Sequence, residues 1–352
     1  MEQTSPQIGF DDARLEDPAA LARYDTRLRA LAESGARVRR EATAVAELLH
    51  RGVQTDRPRA VVVAGAEARL LRAVLEPWCP VPFVAWPAAG LPGWAGPLDL
   101  VAVLAPAGGD EEVDATVAEA LRRGAQLVVT APPGSALAEV AASRHTIVLP
   151  SATRDGLAAA VAMLDVLHSA GLGPAVDAEE VATALDEVAG RCAPSQNLAE
   201  NPAKAAALVL ADALPLVWGG SVLAARASRR LAEALRRSSG RPSLAADTRH
   251  LLAVLDRVER RDLFADPFEG DAPAGPNRPA LVVLDDGAQE PAVRVQRGRL
   301  LAAAERGDVR VHQIRHDSGS ELARYASLLA EGWWAAEYLG IGLGTLPEEQ
   351  AP

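Results

Sequence analysis

From Arg59 onward, short apolar runs alternate with segments whose apolar residues recur every three or four positions. This alternation constrains the fold more than any other feature of the chain. Ala60–Ala64, Val81–Ala85, Leu98–Leu104, Leu127–Thr130 and Thr146–Leu149 read as buried strands. Glu67–Leu75, Asp110–Arg122 and Ser135–Ala142 read as the helices among them, and a long helix follows over Thr153–His168. A second series comes later, with helix Pro202–Asp212, strand Leu214–Trp218, helix Ser221–Arg237 and a strand-like Pro242–Ala246 ahead of His250 and Leu251–Leu255. Strand Ala280–Leu284, helix Ala292–Arg306, strand Val309–Ile314 and helix Ser320–Leu339 complete it. Strands that alternate with helices pair in parallel, so the pattern predicts two successive α/β units.

Between the two series lie a hinge, Gly171-Leu-Gly-Pro174, an acidic helix over Asp177–Ala189 and a polar loop over Cys192–Asn201. The expected organisation is therefore a helical lead segment, 1–58, packing on the body and opened by the cap Asp17-Pro18, then a first domain, 59–170. A linker with its helix (171–200), a second domain (201–345) and a short tail (346–352) follow. Asp262–Pro279, rich in Asp, Pro and Gly, reads as a loop.

With 352 residues, 49% of them hydrophobic, the chain has enough apolar material for two cores. A net charge of −11 argues against a nucleic-acid partner, because a phosphate-binding surface carries a basic excess; a local anion pocket stays compatible with it. Cys79 and Cys192 are far apart and lack metal-type spacing, which fits reduced thiols in a cytoplasmic protein. No segment has the pattern of an export signal, and none reaches the roughly 18 apolar residues of a membrane span.

Three stretches carry a likeness to a known family: Asn201-Pro-Ala-Lys204 with its helix and the strand Leu214-Pro-Leu-Val-Trp-Gly-Gly220; Pro150-Ser-Ala-Thr-Arg154 before the long apolar helix; and Trp334-Ala-Ala-Glu-Tyr-Leu339 in the last helix. Together they resemble the bifunctional phosphoglucose/phosphomannose isomerase family, as a degenerate member. The resemblance implies two tandem sugar-isomerase (SIS) domains, each a small, mostly parallel sheet flanked by helices. It also implies a homodimer and reversible aldose–ketose isomerisation of sugar phosphates, an intramolecular oxidoreduction without metal or redox cofactor.

The residues depart from that pattern at the phosphate loops. Where the family has hydroxyl-bearing turns, this chain has Ala64-Gly-Ala-Glu67 and Ala105-Pro-Ala-Gly-Gly-Asp110, with Glu111 and Glu112 following. Carboxylates at helix starts suit the helix dipole but repel phosphate. The second half keeps Gly219-Gly-Ser221 before a helix carrying Arg226, either an anion site or a Ser cap after a tight turn. Isomerisation needs a base and a ring-opening acid. On the likeness, Arg236 stands where the family's base lies and Glu233 one turn earlier could substitute, while His250 matches the ring-opening His and Arg154 the Arg that supports the enediolate. Each also has an ordinary surface reading. The family's Lys near the end of the last helix is missing from Gly344–Pro352, and His312 and His316 have no third ligand nearby for a metal. Trp333, Trp334 and Tyr338 form an aromatic stripe that is either core or dimer interface. Two functions stay open: a sugar-phosphate isomerase with a shifted site at Arg154, Glu233 and His250, or a non-catalytic relative that binds a sugar phosphate or nucleotide sugar and regulates or scaffolds sugar activation.

Overall fold

After a 3-10 turn at Asp12–Leu15, Asp17 caps α1 (Pro18–Ala22), its side chain accepting the Ala19 N–H at 2.9 Å with Pro18 at the first helical position. This computed structural model describes residues 9–52, 56–65, 67–259 and 278–347. Most of the expected 262–279 loop and most of the 346–352 tail lie outside the described residues. The chain divides into two compact units, one of residues 34–183 and the other of residues 1–33 with 184–352.

The lead segment is thus shared between the units rather than forming one piece. After α1 and α2 (Asp25–Ala32), Arg27 makes a two-pronged ion pair with Glu337, and the Asp11 N–H bonds the Gly342 carbonyl, both within the unit that holds the chain's second half. The next helix, α3 (Ser34–His50), packs on the first sheet's unit through Val38 and Val45.

The unit of residues 34–183 carries β1 (Val61–Gly65), α4 (Ala68–Leu75), β2 (Phe83–Ala85), β3 (Leu100–Leu104), α5 (Glu111–Arg123), β4 (Gln126–Ala131), α6 (Ala136–Ala141), β5 (Thr146–Pro150) and α7 (Gly156–Ser169). Its sheet has the order β2-β1-β3-β4-β5, and every pairing is parallel. Val61–Val63 and Leu100–Leu104 are almost wholly buried, as expected of parallel strands covered on both faces. The residues Leu157–Leu164 of α7 are buried all round, the mark of a helix inside a core rather than on a surface. α8 (Ala178–Arg191) contains the point where the chain passes to the other unit.

That second unit continues with α9 (Pro202–Leu210), β6 (Ala213–Gly219), α10 (Val222–Ser239), β7 (Leu244–Ala245), α11 (Thr248–Leu255), β8 (Arg278–Asp285), α12 (Pro291–Arg306), β9 (Arg310–Arg315) and α13 (Glu321–Leu343). Its sheet, β7-β6-β8-β9, is again parallel throughout. The strand-like segment before His250 contains the two-residue β7, and His250 itself lies on a helix. Within α13, Trp334 and Tyr338 are buried and stack with ring centroids 5.8 Å apart, which assigns those two members of the aromatic stripe to the core; Trp333 is half-buried.

Gly65 ends β1 at φ +96°, where a Cβ would stand 2.2 Å from the Leu104 carbonyl oxygen of the neighbouring strand. Gly65→Ala therefore meets both a disfavoured backbone and a clash. It should cost at least about 2 kcal/mol of unfolding free energy, read from the midpoint of urea denaturation.

Candidate functional site at the C-terminal strand ends

In open parallel sheets, ligands bind beyond the carboxyl ends of the strands, where the following helices begin. In the unit of residues 34–183 those places hold the protein's own carboxylates. Glu67, just after β1, is 3% exposed. After β3, the Ala105 N–H donates to Thr130 Oγ1 at 2.8 Å, and Asp110 caps α5 by accepting the Val113 N–H at 2.9 Å. Gly109 sits so close to Asp114 that a Cβ there would lie 1.9 Å from the Asp114 Oδ1.

After β5 the arrangement is more complete. The Glu41 carboxylate, on a residue 2% exposed, accepts the Thr153 N–H and Oγ1–H, both at 2.7 Å, the Ser151 hydroxyl at 3.1 Å and the Ala152 N–H at 3.2 Å. Four donors on one anion offset the cost of burying it. Next in the chain, Arg154 is exposed and left-handed at φ +54°, and Asp155 both caps α7 and pairs with Arg37 at 2.7 Å. Nothing in the sequence pattern around Glu41 marked it, because its partners lie more than a hundred residues away.

In the second unit, Gly219 and Gly220 allow two close approaches. A Cβ on Gly219 would be 2.2 Å from the Ala224 carbonyl group, and one on Gly220 would be 2.4 Å from Val293 Cγ1 and 2.7 Å from the Trp218 ring. Ser221 caps α10, its Oγ accepting the Ala224 N–H at 3.0 Å, and donates its own proton to Asp286 Oδ2. The glycines thus serve packing, and the serine hydroxyl is engaged on both sides. Arg226 is buried on α10, 6% exposed.

Sequence reasoning passed over the pair Asp285 and Asp286. Asp285 accepts from Arg297, from Gln313 Nε2 at 2.9 Å and from the Gly287 N–H at 3.1 Å; the Asp286 carbonyl accepts from Arg324 at 2.9 Å. The signal was present as Asp285-Asp-Gly287 directly after an apolar strand.

Glu233 and His250 each bond within their own helical turn or cap. Glu233 pairs with Arg230 at 3.1 Å. The His250 side chain is 70% exposed, and its Nδ1 lies 2.9 Å from Asp247, the N-cap of α11. Asp247 is held below the ordinary carboxylate range chiefly by the His250 backbone N–H, then by the charge and ring of His250. Among the described hydrogen bonds and ion pairs, none joins Glu233 to His250. No cluster of three or more His, Cys, Asp or Glu side chains arranged to hold a metal occurs among the described residues, and no described helix is long and apolar enough to cross a membrane.

Residues 199–352 match the family described as the bacterial phospho-glucose isomerase C-terminal SIS domain. Those residues carry the likeness to an SIS domain. The likeness read from Asn201–Lys204 and Leu214–Gly220 falls inside the match and is borne out by it. Among solved structures, the chain is similar to tagatose-6-phosphate ketose/aldose isomerase from Escherichia coli at 14% identity, with a TM-score of 0.62 and 98% of each chain covered. It is similar to the C-terminal domain of glucosamine-fructose-6-phosphate aminotransferase from Francisella tularensis at 12% identity, with a TM-score of 0.62, covering 91% of this chain and 96% of that one. Glucosamine-6-phosphate deaminase from Thermotoga maritima matches at 13% identity with a TM-score of 0.53, covering 89% and 92%. No curated protein sequence matches the chain significantly. At these identities the structures show the fold, which is that of tandem SIS domains.

On α13, Tyr338 donates its hydroxyl to the Cys192 carbonyl at 2.6 Å. Burial, then the charge of Glu331, pushes the Cys192 thiol from its ordinary 9.0 up to about 12, and burial raises the Tyr338 phenol as well. A raised acid stabilises the fold below its ordinary value and loses that contribution as pH climbs toward the raised one. Unfolding free energy should therefore begin to fall near pH 9, with a slope from this thiol that approaches about 1.4 kcal/mol per pH unit between about pH 10 and pH 11, and Cys192→Ala should flatten it. At pH 8, iodoacetamide should label Cys79 and leave Cys192 untouched until the protein unfolds.

Proposed function

We propose that this chain is a carbohydrate-derivative binding protein of the phosphosugar-isomerase fold. In this reading it takes a sugar phosphate at the start of α10 and acts as a regulatory or scaffold relative rather than as an aldose–ketose isomerase. It works as a homodimer in the cytoplasm, without metal or redox cofactor. Binding at the start of α10 is supported by the likeness of residues 199–352 to an SIS domain, and the observation that carries the non-catalytic part of the reading is the bond from Ser221 to Asp286. The best-placed hydroxyl for a phosphate is already given to a carboxylate, which competes with any anion at that helix start. The ion pair of Glu233 with Arg230 and the contact of His250 Nδ1 with Asp247 support the same reading, because an acid–base pair that works on one substrate has to converge on it.

A second reading, isomerisation of glucose 6-phosphate or mannose 6-phosphate through Arg154, Glu233 and His250, is favoured by the exposure that the His250 ring retains. A coupled assay separates the two. With mannose 6-phosphate or fructose 6-phosphate, wild type and His250→Ala should give the same trace rate. A measurable wild-type rate that His250→Ala abolishes would establish the isomerase instead.

Binding has its own measurement. Glucose 6-phosphate should shift the amide signals of Gly220 and Ser221, and Asp286→Asn should tighten its affinity roughly tenfold by removing a nearby like charge. Unmoved signals in both proteins would rule out the site.

A further inference from the structure

Three aspartates stand around the turn after β8, and two of them have an arginine. Asp285 takes Arg297, and Asp317, in the loop before α13, takes Arg315 at 2.7 Å. Asp286 has no cationic partner among the described residues. Its Oδ2 accepts the Ser221 hydroxyl and its Oδ1 the Ala288 N–H at 3.2 Å. A half-buried carboxylate held by two neutral donors is the least compensated charge of the three.

One arginine beside the same turn is incompletely used. Arg324, in the first turn of α13, donates through a terminal nitrogen to the Asp286 carbonyl at 2.9 Å, while its Nε is buried and has no hydrogen-bond partner. Asp317 feels its charge, but the ion pair of Asp317 is with Arg315. A buried N–H without an acceptor costs free energy and calls for a reason. A cation without its own carboxylate and a carboxylate without a cation thus meet at one residue: Arg324 holds the backbone of Asp286, whose side chain is on Ser221. The backbone there is clamped. Gly287 is left-handed at φ +76°, a Cβ on it would stand 2.6 Å from Asp317 Cβ, and its N–H bonds Asp285 at 3.1 Å. The side-chain torsions of Asp286 are what can change.

We propose that Asp286 is a latch on the α10 site: closed, its carboxylate occupies Ser221; open, it turns onto the Arg324 guanidinium and leaves the Ser221 hydroxyl and the first amides of α10 to a ligand phosphate. This regulation rests on the reading of the start of α10 as a sugar-phosphate site. Opening does two things at once. The hydroxyl is released, and the uncompensated carboxylate beside the phosphate gains a counter-charge. Arg324 is a positioning residue, because it acts on the ligand through Asp286. Only the open fraction binds, so the measured affinity is the intrinsic one reduced by that fraction.

The test is a double-mutant cycle on the affinity for glucose 6-phosphate, read from the amide signals of Gly220 and Ser221. Asp286→Asn removes the charge of the latch and should bind more tightly than wild type. Arg324→Gln removes the open-state partner, so affinity should fall several-fold below wild type, and Arg324→Lys, which keeps a cation, should restore most of it. In the Asp286→Asn background Arg324→Gln should change nothing, because the carboxylate it serves has lost its charge. Unchanged amide signals along β8 check the fold of each variant. An affinity that Arg324→Gln leaves unaltered or tightens would overturn the latch. So would a loss that persists in the Asp286→Asn background or that Arg324→Lys does not restore. If no protein of the set binds glucose 6-phosphate, Asp286→Asn included, the α10 site itself falls and the latch with it; binding without coupling between the two positions removes the latch alone.

Discussion

Parallel strands have to be covered on both faces, and each sheet in this protein consists of parallel strands only. Strands that all point one way send their following loops to one edge of the sheet. Most of those loops lead into helix starts, whose unpaired N–H groups attract negative charge. The chemistry of the molecule turns on what fills those starts. Here the fillers are side-chain anions: Asp110 on α5, Asp155 on α7 and the Ser221–Asp286 pair on α10.

This arrangement gives the protein its electrostatic character. A helix start occupied by an internal carboxylate gains stability but offers less to an outside phosphate, and the chain's net charge of −11 works in the same direction. Glu41 shows how far the substitution goes, since the loop after β5 devotes two hydroxyls and two amides to one buried side chain. A loop able to collect an anion has been turned into a joint between α3 and the sheet.

The two series of elements were legible because runs such as Ala60–Ala64 and Leu214–Trp218 are short and wholly or mostly apolar, the first rich in Val and the second followed by Gly219 and Gly220, whereas the helices beside them are longer and carry apolar residues every three or four positions. The long α7 was equally plain from its apolar run Leu157–Leu164. The lead segment was not, because helical spacing over 10–51 says which face is apolar and nothing about which sheet that face covers. Asp286, Glu41 and Glu331 were passed over for one reason: each gains its meaning from a partner distant in the chain.

The sequence by itself determined the alternation of strands and helices, the acidic starts of the first half's helices, the Ser221 cap and the SIS likeness, because these rest on periodicity and neighbouring residues. Only the tertiary structure decided that Ser221 gives its proton to Asp286, that Glu41 fills the loop after β5, and that the one lysine holds the loop before α9 through the Pro194 and Gln196 carbonyls. Those are contacts between segments tens to more than a hundred residues apart or across a folded loop, and packing alone brings them within hydrogen-bonding reach.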